Sequence, residues 1–264
     1  MNEALNINSW ALAGLYLLFV IPLVLFQRWQ LGLSKSLISA VVRMTLQLAV
    51  VGLYLQTLFA FANIWLNTLW LLIMILVASG TICKQASASL KQLMPPILVG
   101  QLLAMSLVLP VLMVGVIQAD PWWKAQYLIP VAGMLLGNAL SANVLALERL
   151  LTSLKKRHAE YQFYVALGAP NPSRPFLREA LTAALRPPIA AMSTLGIVSL
   201  PGMMTGQILG GTEPLLAVKY QLVIIVAIFI SVFVSAATTL YFVSRRLFNG
   251  YGQLTSESLS KPSP

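Results

Sequence analysis

The stretch 148–186, ERLLTSLKKRHAEYQFYVALGAPNPSRPFLREALTAALR, is the one sizeable charged island in a chain that otherwise reads as bilayer. It holds seven of the 17 Lys and Arg residues (Arg149, Lys155, Lys156, Arg157, Arg174, Arg178 and Arg186), set between long apolar runs. Leu147, Leu150, Leu151, Leu154, His158, Tyr161 and Val165 recur at three- and four-residue steps, with charged residues largely between them. That period predicts an amphipathic helix continuing the preceding membrane span to Leu167, projecting about 30 Å beyond Glu148 at the helical rise. Gly168 supplies a stop, Pro170-Asn171-Pro172 a rigid turn, and Ser173 a cap for a second helix toward Arg186; Pro187-Pro188 then opens the next span. A helical hairpin held at both ends by membrane spans is suited to receive force or a signal from a soluble partner.

Outward from the island, the composition is 58% hydrophobic and 9% charged. Soluble domains carry roughly 25% charge, so this chain is expected to bury surface against lipid as well as protein. An apolar segment of about 20 residues, enough to cross a bilayer, fits seven times, near 9–27, 37–58, 63–83, 95–117, 126–147, 188–209 and 219–243. The expected class is an all-α polytopic membrane protein, with one transmembrane unit over 1–249 that includes the hairpin 148–186 and a flexible tail over 250–264. With the N-terminus outside, fourteen basic residues fall on the inner side and only Lys124 and Lys219 on the outer, so the hairpin and the C-terminus are expected in the cytoplasm. The net charge of +10 arises at the ends of apolar runs and not in a patch interleaved with aromatics, which argues against nucleic-acid binding. Cys83 is the sole cysteine, so there is no internal disulfide. Met1-Asn2-Glu3 lacks the basic region of a cleaved signal peptide, and the first span is expected to stay as an anchor.

Three spans carry unusual residues. Span six contains Ser199-Leu-Pro201-Gly202-Met203-Met204-Thr205-Gly206-Gln-Ile-Leu-Gly210, where Pro201 removes a donor and Gly202, Gly206 and Gly210 leave one face bare. A break near Pro201 is expected, with Met203 and Met204 as contacts for a solute or soft metal; the alternative is gap-filling by methionine and close packing by glycine. Span five carries a small-residue seam, Gly133, Gly137 and Ser141, with Met134 and Asn138 beside it. Span two places Arg43 and Gln47 on one face, where Arg43 either lines a path or snorkels over the roughly 9 Å to the inner boundary. No Gly-x-x-x-x-Gly-Lys loop, catalytic triad or His-Glu-x-x-His motif occurs, and His158 is the only histidine. The expectation is a non-enzyme that binds no cofactor of its own.

Gln162-Phe-Tyr-Val-Ala-Leu-Gly168-Ala169-Pro, with Arg178 ten residues after the glycine, resembles the cytoplasmic loop of ABC transporter permeases. Gln162 departs from the glutamate usual in importers, and their terminal Leu-Pro pair is missing. Ile129-Pro-Val-Ala-Gly-Met-Leu-Leu-Gly-Asn138, the Ala166-Leu-Gly168-Ala turn, Val198-Ser-Leu-Pro-Gly-Met-Met-Thr-Gly206 and Lys219-Tyr-Gln221 together resemble the FetB-type ABC permeases, described as iron exporters of the bacterial inner membrane. Plant members of that family are linked to aluminium tolerance and nucleotide-sugar transport. The resemblance implies a homodimer of permeases paired with separate ATPase subunits that hydrolyse the ATP. It places ATPase docking at Gly168, Ala169, Arg174 and Arg178, while the residues of the unusual spans themselves put the expected solute contacts at Met134, Asn138, Met203 and Met204, with Arg43 and Gln47 a lower-ranked polar stripe. Sulfur ligands alone do not favour Fe(II), so iron rests on the resemblance and an anionic solute stays open. A membrane scaffold that recruits a soluble protein without transport is the reading from another class.

Overall fold

The computed structural model describes residues 8–61, 63–86 and 90–248; the tail expected from Gly250 lies outside them. Asn8 accepts a hydrogen bond from the Trp10 backbone N–H (3.1 Å) and so starts α1 (Ser9–Leu17), and α2 (Val20–Arg28) follows after a short irregularity. Next come α3 (Ser34–Phe61) and α4 (Ile64–Gln85), the latter capped by Asn63 through the Trp65 N–H at 2.9 Å. α5 (Leu90–Pro110) passes into a π-helical turn, Val111–Ile117, directly after Pro110, whose missing donor lets the ladder change register. Then follow α6 (Ala125–Lys156), α7 (His158–Ala166), α8 (Arg174–Thr194), α9 (Gly202–Leu209) and α10 (Pro214–Leu247).

Six segments of the described chain are long and apolar enough to cross a bilayer: Trp10–Arg28, Ser34–Gly52, Ile64–Gln85, Gln92–Ile117, Ala125–Lys156 and Pro214–Leu247. The chain is an all-α, polytopic membrane protein. The remaining expected span, 188–209, is not one helix. α8 continues through Pro187 and Pro188 to Thr194, forgoing two ladder hydrogen bonds. Residues 195–201 are then non-helical, and α9 starts after Pro201. The break is built ahead of Pro201: Gly196 takes a left-handed φ of 89°, and its N–H bonds to the Ser199 carbonyl at 3.0 Å. Leu200, restricted to extended backbone by the proline after it, then leads into α9.

Two apolar clusters stack along the bundle. One joins Ile82 and Cys83 of α4, Leu93 and Ile97 of α5, Leu147, Leu150 and Leu154 of α6, and Val243 and Leu247 of α10. It includes Tyr161 and Phe176 and therefore marks the hairpin side. The other joins Ile75, Met105, Leu109, Leu135 and Ile224, at the far side. Residue numbers rise toward the hairpin along α4, α6 and α10 and fall along α5. α6 and α10 are thus parallel, and residues 157–213 return the chain from the hairpin side to the far side.

Polar side chains lie within the hairpin-side cluster. Asn143 donates to Ser235 Oγ at 2.8 Å and to the Ala139 carbonyl at 2.7 Å, joining α6 to α10 inside the apolar core. Such a bond contributes about 1 kcal/mol, and breaking it leaves a buried amide unpaired at higher cost. At Gly100, α5 comes so close to α10 that an added Cβ would overlap the Thr239 hydroxyl and stand 2.9 Å from the Ser235 carbonyl. Only glycine lets these backbones meet.

Candidate functional site

The hairpin is packed against the bundle and does not project as one long helix. α6 ends at Lys156, and Arg157 adopts φ −112° and ψ 37° before α7 begins. This single irregular residue turns the Arg157 guanidinium onto Glu179 of α8 and places it 4.8 Å from the centre of the Phe176 ring. Tyr161 of α7 is buried between Phe176 (centroids 5.8 Å apart) and Phe248, just past the end of α10 (5.1 Å, stacked). Burying rings of this size stabilises the contact by about 1.5–3 kcal/mol each. Burial also pushes the Tyr161 hydroxyl pKa up to about 12. The elbow is therefore bound to α8 and α10 together.

Glu179 is the electrostatic hub. It pairs with Arg149 at 2.5 Å and with Arg157, and Ser153 Oγ reaches it at 3.4 Å. Burial raises its carboxyl pKa, but the Arg149 hydrogen bond and the two guanidinium charges outweigh that and hold it below the ordinary value. Gly168, at φ 68°, ends α7 with the two bonds of a Schellman motif, Ala169 N–H to the Tyr164 carbonyl and Gly168 N–H to the Val165 carbonyl, both 3.0 Å. Ser173 occupies the cap position of α8 without a side-chain cap bond; Pro175 in the first turn pre-sets the helix. An open crease of about 680 Å³ lies over the turn, lined by Tyr164, Ala169, Asn171, Arg174 and Arg178. The residues expected to dock a partner thus share one surface, with Gly168 setting the turn and Ala169, Arg174 and Arg178 forming the wall.

The expected path residues divide. Met134 and Met203 are both half-buried against the far-side cluster, which places α6 and α9 beside the same core. Met204 is half-buried on α9. Asn138 and Ser141 are exposed on α6 and bond back to their own helix, Asn138 to the Met134 carbonyl (2.8 Å) and Ser141 to the Gly137 carbonyl (3.2 Å). Gly133 faces Met74 of α4, whose Cε would lie 3.6 Å from an added Cβ. Gly137, Gly202 and Gly206 have nothing within 4 Å of that position, and Gly210 meets only the carbonyls of its own helix. Among the described residues of one chain, then, Gly137, Gly202 and Gly206 make no close helix contact. Arg43 and Gln47 stand exposed on α3, which meets α6 at its far end through Tyr54 and Leu55. Among the described residues no cluster of His, Cys, Asp and Glu could hold a metal ion, so Met203 and Met204 have no such companion ligands.

Beside the crease lies a second open groove of about 680 Å³ between α6 and α8, lined by Leu145, Arg149, Arg178, Glu179, Thr182 and Arg186 among others. Sequence reasoning placed Arg178 at the docking surface and passed over Arg149, Glu179 and Arg186. The four-residue steps Arg178, Thr182, Arg186 and Leu145, Arg149 were the signal available.

The whole described chain bears on identity, because residues 9–248 match one family model, the Uncharacterised protein family UPF0014. The chain belongs to that family. UPF0014 membrane protein slr1647 of Synechocystis is 34% identical over 258 residues, 96% of this chain and 99% of the relative. The Escherichia coli protein named Probable iron export permease protein FetB is 28% identical over 258 residues, covering 97% and 98%. Protein ALUMINUM SENSITIVE 3 of Arabidopsis thaliana is 30% identical over 259 residues, covering 94% and 90%. No solved structure matches. The FetB-type resemblance read from the 129–221 motifs is therefore sound, and this UPF0014 chain is a multi-pass membrane protein with one relative named as a permease.

Proposed function

We propose that this chain is the permease subunit of an ABC-type exporter. It supplies the membrane path, and a separate ATPase subunit docks on the hairpin at the cytoplasmic face and hydrolyses the ATP. The observation that carries the reading is the construction of the hairpin. A short turn with an open crease is fixed through Tyr161, Phe176 and Phe248 to α8 and α10, so a push on the turn reaches both helices that flank the broken segment. Packed elements pass on displacements of this kind because they are bistable and not continuously soft.

Two copies complete the path. The open positions on α6 and α9 are free to meet a second chain, and small residues there let helices approach or separate with little steric penalty. Asn138 and Met134 on α6, and Met203 and Met204 on α9, contact the solute, while Arg43 and Gln47 form an outlying polar stripe. The solute is a metal ion or other small solute, and the metal assignment, iron included, rests on the name of the Escherichia coli relative and not on the ligand set of this chain.

Reconstitution of the chain with its ATPase subunit in proteoliposomes tests this. ATP hydrolysis and movement of the solute should rise together with a metal ion in a panel that includes nucleotide sugars. A docked ATPase indifferent to every solute would leave a scaffold, and stimulation by nucleotide sugars alone would overturn the metal assignment.

A further inference from the structure

The groove between α6 and α8 is strongly basic and lies where the long uncharged run 125–147 of α6 gives way to charged residues. Arg178 and Arg186 are two turns apart on one face of α8, about 12 Å along the axis, with Arg149 of α6 opposite. Glu179 is the sole acid lining the groove, and it is already taken by Arg149 and Arg157. Among the described residues Arg178 and Arg186 make no ion pair, and Thr182 between them spends its proton on the Arg178 carbonyl at 2.7 Å. Two guanidiniums are thus left as forked donors facing open space, a geometry suited to phosphate.

The position selects the kind of phosphate. Glu148 and Arg149 end the uncharged run 125–147 of α6, and Arg186 immediately precedes Pro187 at the start of the return segment. Leu145 lines the groove on its bilayer side, and Ile189 and Met192 are exposed on the next turns of α8. A ligand here meets cations at one end and apolar side chains at the other. We propose that the α6–α8 groove binds an anionic glycerophospholipid of the hairpin-side leaflet, its phosphate on Arg178 and Arg186 and its acyl chains along Leu145 and Ile189. Basic pockets between membrane helices hold lipid head groups by the same physics. Arg178 also lines the crease over the hairpin turn, so the bound lipid steadies one wall of the docking surface. The lipid site requires only that the chain lie in a bilayer, while its effect on the docking wall rests on the proposed function.

The test is lipid retention by the purified full-length chain in nanodiscs, read by native mass spectrometry after exchange into phosphatidylglycerol or phosphatidylcholine. Phosphatidylglycerol should be retained over phosphatidylcholine, and Arg178→Gln with Arg186→Gln should lower its retention about tenfold or more. Arg186→Gln alone should lower it several-fold, which keeps the test decisive if the double variant folds poorly. Arg28→Gln, at the same side of the membrane but outside the groove, should retain it like the parent. Equal retention of both lipids, or parental retention by the groove variants, overturns the proposal. So does complete displacement by millimolar inorganic phosphate, which would assign the groove to a soluble anion.

Discussion

Gly100→Ala probes the closest helix contact in the bundle. The new methyl would overlap the Thr239 hydroxyl, which can rotate away, and would lie 2.9 Å from the Ser235 carbonyl and 3.2 Å from the Thr239 nitrogen, which cannot. Ordinary contact begins at 3.4 Å, so α5 and α10 must part by about half an ångström. Overpacking of this kind costs about 1–3 kcal/mol, and the better helix propensity of alanine returns up to about 1 kcal/mol. The net loss should be about 1–2 kcal/mol, a fall in Tm of about 2–8 °C for the purified chain in detergent. Because the displaced carbonyl belongs to Ser235, the bond from Asn143 should weaken too, and Gly100→Ala with Asn143→Ala should cost less than the sum of the single variants. Thr239→Ala in the Gly100→Ala background should recover only a small part. A parental Tm for Gly100→Ala, or full rescue by Thr239→Ala, would refute the close approach.

Asn143→Ala, which leaves the Ser235 hydroxyl unpaired in an apolar core, should lower stability by about 1–3 kcal/mol in the same melt. The Glu179 carboxyl has its pKa lowered on folding, so its contribution is complete above the unfolded value near 4.5 and is lost as pH falls through the lower folded value. Glu179→Gln should therefore loosen the elbow at neutral pH by up to about 1 kcal/mol after solvent screening, read as faster amide hydrogen exchange in 155–161, and the gap from the parent should close as pH falls below 4.5. Gly168→Ala meets open space but must hold φ 68°, so it should cost about 1 kcal/mol of local order, seen as faster amide exchange in 164–169, with the bundle unchanged. Gly202→Leu and Gly206→Leu should leave the monomer folded, since nothing lies within 4 Å, and should reduce transport in proteoliposomes; unchanged efflux would remove α9 from the path.

What could be read from the sequence was local. The apolar runs located the crossing helices because length and hydropathy are properties of a single segment, and the hairpin turn was visible because Gly168 and Pro170-Asn171-Pro172 act within a few residues. The break in the return segment was expected near Pro201, which closes it, but it opens six residues earlier at Leu195 and Gly196, whose left-handed backbone and bond to Ser199 have no signature as plain as a proline. The interruption at Arg157 was invisible because the partner it meets there, Glu179, lies 22 residues away on another helix, and a continuous helix to Leu167 was the natural local reading. Asn143 and Ser235 are 92 residues apart, and neither belongs to a motif. Gly100 looked like any other helix glycine until α10 was set against it. Met134 and Met203 were singled out separately, and the shared cluster that they touch became visible only with the fold.

The central claim is that the hairpin turn carries the ATPase. Cys83, the sole native cysteine, is fully buried, so Asn171→Cys provides one accessible thiol in the crease. Short-arm thiol cross-linking of this variant to the ATPase subunit in native membranes is predicted to give a covalent permease–ATPase product. The account is contradicted if Asn171→Cys yields no such product while a thiol at Thr212, on the far side of the bundle, does.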